Sequence, residues 1–196
     1  MKESSYVAKK ASFFTSKAFL TTLVGLFFIS LMVFSVLDYG SSQTGQKKVK
    51  YKGLSFTQTT EGWQAYAGDK KIVIQANPEL FGDESVSSAA LDRFIHSSLV
   101  YISLNPYDSV QGAVGDFQRN VPIGGVYALA CSGNYSGCEK YPVKTCADAS
   151  PTEAVVLFQT ANESLVSLDG TCLTIQGKDL LSVTDMLILS QYGEQG

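Results

Sequence analysis

Ser88, Asp92 and His96 stand four residues apart, and on a helix that spacing lines up a hydroxyl, a carboxylate and the only histidine of the chain. These are the residue types of nucleophilic catalysis, in which a base takes the hydroxyl proton while a separate acid orients the base. The order defeats that chemistry. Asp92 lies between the other two and leaves His96 about two turns from Ser88, so the three read as a solvated polar face and no residue is assigned a catalytic role.

Cys131, Cys138, Cys146 and Cys172 form the second constellation. Structural zinc takes close ligand pairs separated by about two to four residues, and redox catalysis takes cysteines about two residues apart. Neither spacing occurs, so no metal and no cofactor is expected. An even number of cysteines reads instead as two disulfides, for which three pairings exist. The expected set is Cys131 with Cys138 and Cys146 with Cys172. The run from Ser132 to Gly137 can fold the chain back on itself, and Cys172 opens a strand after the Asp169-Gly170 turn. The loop from Cys131 to Pro151 also carries Tyr135 and Tyr141, the candidate binding residues, because aromatics on a stapled loop make rigid contact surfaces.

Other signals are weaker. Gly112-Ala113-Val114-Gly115 falls inside a helical pattern, which excludes a phosphate-cradling loop and suggests close approach of helix and sheet. Asp108, Asp116, Asp169, Asp179 and Asp185 match no calcium-loop spacing and read as caps or surface charges. Asn134-Tyr135-Ser136 and Asn162-Glu163-Ser164 fit the glycosylation acceptor pattern.

The elements that must position these groups follow from periodicity. Leu54–Phe56, Trp63–Ala67 and Lys70–Gln75 predict a three-stranded antiparallel meander, the last two joined at Gly68-Asp69, with Trp63, Tyr66, Ile72 and Ile74 as core. Val86, Ala90, Leu91, Phe94 and Ile95 mark an amphipathic helix over 85–96. A strand is predicted at Leu99–Ser103, then a helix capped by Asn105 with Pro106 at its first position and Val110, Ala113, Val114 and Phe117 inward. With a strand at Val126–Cys131 this makes a parallel β-α-β unit. Ala154–Gln159 and Leu165–Leu168 suggest a hairpin, Cys172–Ile175 a short strand, and Leu180–Tyr192 a closing helix with Leu180, Val183, Met186 and Leu187 inward. The fold class is α+β, or mixed α/β, with helices covering a mixed sheet.

From Ala18 to Leu37 the chain has about 20 residues without a charge, enough to span a hydrocarbon core of about 30 Å. A cleaved signal would place small residues where Leu37, Asp38 and Tyr39 stand. The expected organisation is a cytoplasmic tail 1–17, a transmembrane helix 18–37, a flexible stalk 38–50 and an extracytoplasmic domain 51–193. Lys2, Lys9, Lys10 and Lys17 before the span favour an inside N-terminus, and four cysteines after it fit an oxidising compartment. Ala18, Thr21, Thr22 and Gly25 are spaced so that two such helices could pack. The net charge of -3 argues against nucleic acid as a partner.

The run Tyr141-Pro142-Val143-Lys144-Thr145-Cys146, the segment Gly170-Thr171-Cys172-Leu173-Thr174-Ile175 and a last helix carrying Asp185 before Gly193 resemble uncharacterised single-pass surface proteins of small-genome (DPANN) archaea. The resemblance covers about the last 70 residues and implies an archaeal envelope location, with no mechanism attached. Two functions are therefore expected as alternatives. One is an envelope interaction or structural module that meets another envelope protein or a surface polymer through the cysteine loop. The other is an envelope hydrolase whose carboxylates only the fold brings together.

Overall fold

The structure is a computed structural model that describes residues 17–41, 46–82, 91 and 96–192. The chain divides into two units, residues 1–46 and residues 47–196. In the first, helix α1 (Lys17–Ser41) runs for 25 residues, about 37 Å at ~1.5 Å per residue. Its described side chains, Phe19 and those of 21–35, are apolar or small and, apart from Phe19, exposed. Among the described residues no helix is long and apolar enough to cross a membrane. The uncharged stretch read from the sequence, Ala18–Leu37, falls within α1.

The second unit opens with four antiparallel strands in sequence order, β1 (Lys48–Tyr51), β2 (Leu54–Thr59), β3 (Gly62–Ala67) and β4 (Lys70–Ile74). Strand β1 corrects the expected organisation, since it lies in the segment read as stalk, and α1 enters that segment from the other side. Lys48 and Lys50 gave the segment a polar composition, but they occupy the outward positions of an edge strand whose Val49 is buried opposite Phe56. Charged side chains on an edge strand also protect it from pairing with other chains. The Lys52-Gly53 turn that joins β1 to β2 has φ of 46° and 78°, the double left-handed conformation that a tight hairpin requires. Gly68 has φ of 58° at the first central place of the β3–β4 turn, as the sequence indicated. Trp63, Ile72 and Ile74 are core, whereas Tyr66 is 60% exposed because the inward positions of β3 are odd-numbered.

A second sheet holds β5 (Leu99–Leu104), β6 (Val126–Cys131), β7 (Glu153–Thr160), β8 (Leu165–Asp169) and β9 (Cys172–Gly177) in the order β6-β5-β7-β9-β8. The β5–β6 pair is parallel and is joined by helix α2 (Gln111–Asn120), which is the expected β-α-β unit. Two details differ from expectation. The helix begins at Gln111, because Asn105-Pro106-Tyr107-Asp108 forms its own turn, with Asp108 N–H donating to the Asn105 carbonyl (3.0 Å) and Tyr107 N–H to Asn105 Oδ1 (3.1 Å). Asn105 thus caps a turn and not the helix. The hairpin is β8–β9, not β7–β8: β7 runs parallel to both β5 and β9, and the two-residue turn at Gly170-Thr171 closes the antiparallel pair. The helices thus cover a mixed sheet, as expected, while the antiparallel meander forms a separate sheet of its own.

Helix α3 (Leu180–Ser190) starts at Asp179, whose carboxylate accepts from Ser182 N–H (3.2 Å). Leu180, Val183, Met186 and Leu187 are buried as expected, and so are Thr184, Asp185, Ile188 and Leu189, so the helix is enclosed on most sides. It lies over β7, β8 and β9 and against α2, while α2 meets β4. Phe117 of α2 packs edge-on against both Tyr127 and Phe158, which ties the helix to the second sheet. The helix expected over 85–96 lies outside the described residues except for Leu91, helical and buried, and His96, an exposed turn residue.

Candidate functional site

Residues of β5, β7 and β9 alternate between two faces. Val100, Ile102, Val156, Phe158, Leu173 and Ile175 face the helices. Tyr101, Ser103, Val155, Leu157, Cys172 and Thr174 occupy the other face, as the parallel register requires. The cysteine loop covers that second face. Ser103 Oγ donates to the Lys144 carbonyl (2.5 Å), Lys144 Nζ lies 4.4 Å from the Tyr101 ring centroid, and Cys146 Sγ is 3.6 Å from Thr174 Oγ1.

Both disulfides have the expected pairing, Cys131–Cys138 and Cys146–Cys172. The second joins the loop directly to the sheet face through β9. The first closes a small ring beside Cys131, whose N–H donates to the Pro142 carbonyl and whose carbonyl accepts from Lys144 N–H (2.9 Å each). This parallel bridge between Cys131 and Val143 extends the sheet edge into the loop. Asp148 accepts from Thr145 N–H and Oγ1 (2.8 and 2.9 Å), and the backbone donor chiefly holds its carboxyl below the usual carboxylate range.

Strand order defines where a ligand can enter. From β5 the chain passes through α2 to β6 on one side, then returns through the cysteine loop to β7 on the other side of β5. In open sheets the crevice beyond the carboxyl ends of two strands whose connections diverge in this way is the usual ligand position. Here it is a polar crevice of about 300 Å³ between the ends of β5 and β7, lined by Asn105, Asp108, Ser132, Tyr135, Gln159 and Thr160. Asp108 anchors it, with Oδ1 accepting from Asn105 Nδ2 and Oδ2 from Thr160 N–H, both at 3.4 Å. A second, apolar cleft of about 410 Å³ lies between α2 and β6, bounded by Val110, Val114, Leu129, Cys131 and Tyr141.

The two candidate tyrosines are thus separated. Tyr135 lines the polar crevice and Tyr141, 47% exposed, the apolar cleft. Gly133 makes room for the Tyr135 ring, since a Cβ there would sit 3.2 Å from three of its atoms. Of the two helix glycines, Gly112 is where α2 approaches Leu181 of α3, while Gly115 faces open space at the cleft. The tightest contact at Gly112 is therefore with the neighbouring helix, and the Gln75 side chain just after β4 lies next to it. Ser88 and Asp92 lie outside the described residues, so only His96 of that set is placed.

Asp116 and Asp185 correct a second expectation. Neither is a surface charge, for both side chains are 0% exposed. Asp116 accepts from Gln75 N–H (2.7 Å), Gln75 Nε2 (3.0 Å) and Arg119 (3.2 Å). Asp185 accepts from Ala76 N–H at 2.9 Å. Burial, then the neighbouring Asp116 carboxylate, pushes the Asp185 carboxyl up to about 8. A proton on Asp185 gives its Oδ1, which has no donor facing it, a bond to offer toward Asp116. Asn120 completes the junction, its side-chain amide bonding both Val73 N–H (3.2 Å) and the Val73 carbonyl (2.8 Å) on the open edge of β4.

Among the described residues no group of three His, Cys, Asp or Glu side chains is placed to hold a metal ion. Sequence reasoning missed Asn105, Asp108, Gln159 and Thr160 as crevice residues. The usable signal was indirect: a parallel β-α-β unit directs attention to residues just after its first strand. The chain matches no protein-family model, no curated protein and no solved structure.

Proposed function

We propose that this chain is a membrane-anchored interaction or structural module of the cell envelope. In this reading α1 is a single span, the N-terminal tail is cytoplasmic and the domain from Lys47 onward stands outside. The observation that carries it is the pairing of all four cysteines in the unit that follows the uncharged stretch Ala18–Leu37, the state that an oxidising compartment maintains. Lysines at positions 2, 9, 10 and 17 support the orientation. The contact surface is the disulfide-bonded loop with Tyr135 and Tyr141, and its partner is another envelope protein or a surface polymer.

The hydrolase alternative gains a carboxyl pair from the fold, Asp116 with Asp185. Both are sealed from solvent, and the pair serves to hold β4 against the helices, which weighs against catalysis there. The interaction reading is tested by photo-crosslinking in native membranes, with a photoreactive residue placed at Tyr135, at Tyr141 or at exposed Tyr66. Capture of the same envelope component from the two loop positions and not from Tyr66 supports it. Equal capture at all three, or none, contradicts it.

A further inference from the structure

We propose that the crevice between the carboxyl ends of β5 and β7 is a subsite for one ring of a neutral saccharide. This deepens the reading of the domain as an envelope interaction module and rests on it. Three features select the ligand class. First, the described lining offers hydrogen-bonding groups of both senses without a cation: the amides of Asn105 and Gln159, the hydroxyls of Ser132, Tyr135, Thr145 and Thr160, and the Asp108 carboxylate. A phosphate or carboxylate ligand would face Asp108 with no Lys or Arg to offset the repulsion. A sugar ring, whose hydroxyls donate and accept, matches that inventory.

Second, the groups are open to a ligand. Among the described residues the Ser132, Tyr135 and Thr160 hydroxyls and the Gln159 side-chain amide have no hydrogen-bond partner within the protein, and the two bonds to Asp108 are long at 3.4 Å. Both Asp108 oxygens therefore retain lone pairs, the arrangement that receives two neighbouring hydroxyls. Third, about 300 Å³ lies at the small end of ligand pockets, which run from ~300 to 1,000 Å³, and suits a single ring with Tyr135 as its wall. The small disulfide ring fixes that wall, since Tyr135 lies inside the Cys131–Cys138 loop.

The test uses the full chain in lipid nanodiscs and saturation-transfer NMR, with glucose, galactose, mannose and N-acetylglucosamine as free sugars and as soluble neutral polymers of each. Saturation transfer to at least one sugar, weakened about tenfold or more by Asp108→Asn and by Gln159→Ala, supports the subsite. Response to polymers alone points to an envelope polysaccharide, and response to free sugars as well points to a small-molecule source; both support it. Gln159→Ala, on the surface end of β7, serves if Asp108→Asn loses its folded amide spectrum. No transfer at millimolar sugar, transfer unchanged by a folded variant, or equal binding of glucose 6-phosphate overturns the inference. Should that happen while crosslinking from Tyr141 persists, the saccharide subsite falls and the interaction reading stands.

Discussion

Asp116 and Asp185, on two different helices, accept the backbone N–H groups of consecutive residues, Gln75 and Ala76, where the chain leaves β4. Through this pair α2 and α3 grip the same short stretch of backbone, so the first sheet is fastened to the helices by carboxyl groups as well as by apolar packing. Unpaired, those amides would each cost about 1–3 kcal/mol on burial.

The pair makes stability depend on pH in a defined direction. The Asp185 carboxyl, at 3.8 when unperturbed, titrates near 8 in the folded domain, so between those values the native state holds a proton that the unfolded chain has lost. Its contribution is full below about pH 4, falls steadily toward pH 8 and is flat above. The groups facing it are Asp116 and, through Asp116, Arg119 on α2, with the Gln75 and Ala76 backbone from β4. Asp185→Asn copies the protonated form and is expected to raise stability at pH 7 by about 1–4 kcal/mol and to flatten the decline from pH 4 to 8. Urea unfolding across that range checks both; a variant less stable than wild type at pH 7 contradicts the assignment.

Asn120→Ala removes an amide that satisfies both backbone groups of Val73 on an open strand edge. A loss of about 2–4 kcal/mol is expected, because a buried donor and acceptor are left together. Chemical denaturation measures it, and hydrogen exchange at the Val73 amide should rise in step.

The two disulfides should differ in weight. In the chain-entropy model loops with separations of 7 and 26 residues contribute about 2.5 and 3.5 kcal/mol respectively. Cys146–Cys172 also holds the loop on the sheet face. Replacing Cys146 and Cys172 with serine is expected to cost at least 1 kcal/mol more than the same change at Cys131 and Cys138. Thermal unfolding of the two double variants decides the order.

His96→Gln should leave stability within about 0.5 kcal/mol of wild type, as for an exposed surface position. Loss of crosslinking in this variant with the fold intact would place His96 among the functional residues.

What could be read from the sequence was what local chemistry decides. Ala113, Val114 and Phe117, with Val110 at the cap, showed the buried stripe of α2 because helical period alone sets it. The disulfide pairing followed from Cys138 and Cys172 sitting directly after turns. Long-range choices were not legible. Nothing between Thr160 and Leu165 reveals that β7 pairs with β5 and β9 while β8 folds onto β9, because each strand carries apolar residues that suit either neighbour. Asp116 and Asp185 looked like any surface acid, since the amides that bury them come from residues far away in sequence. The crevice residues lay unseen for the same reason: Asn105 and Thr160 meet only when β5 and β7 pair in parallel.

The central claim is topological, and protease protection in intact cells tests it most directly. With epitope tags at both ends, protease added outside is expected to remove the C-terminal tag by cutting between α1 and β1 while the N-terminal tag on residues 1–17 stays intact until the membrane is opened. Loss of the N-terminal tag with survival of the domain in intact cells, or recovery of the chain from the soluble fraction, would contradict the membrane-anchored extracytoplasmic reading.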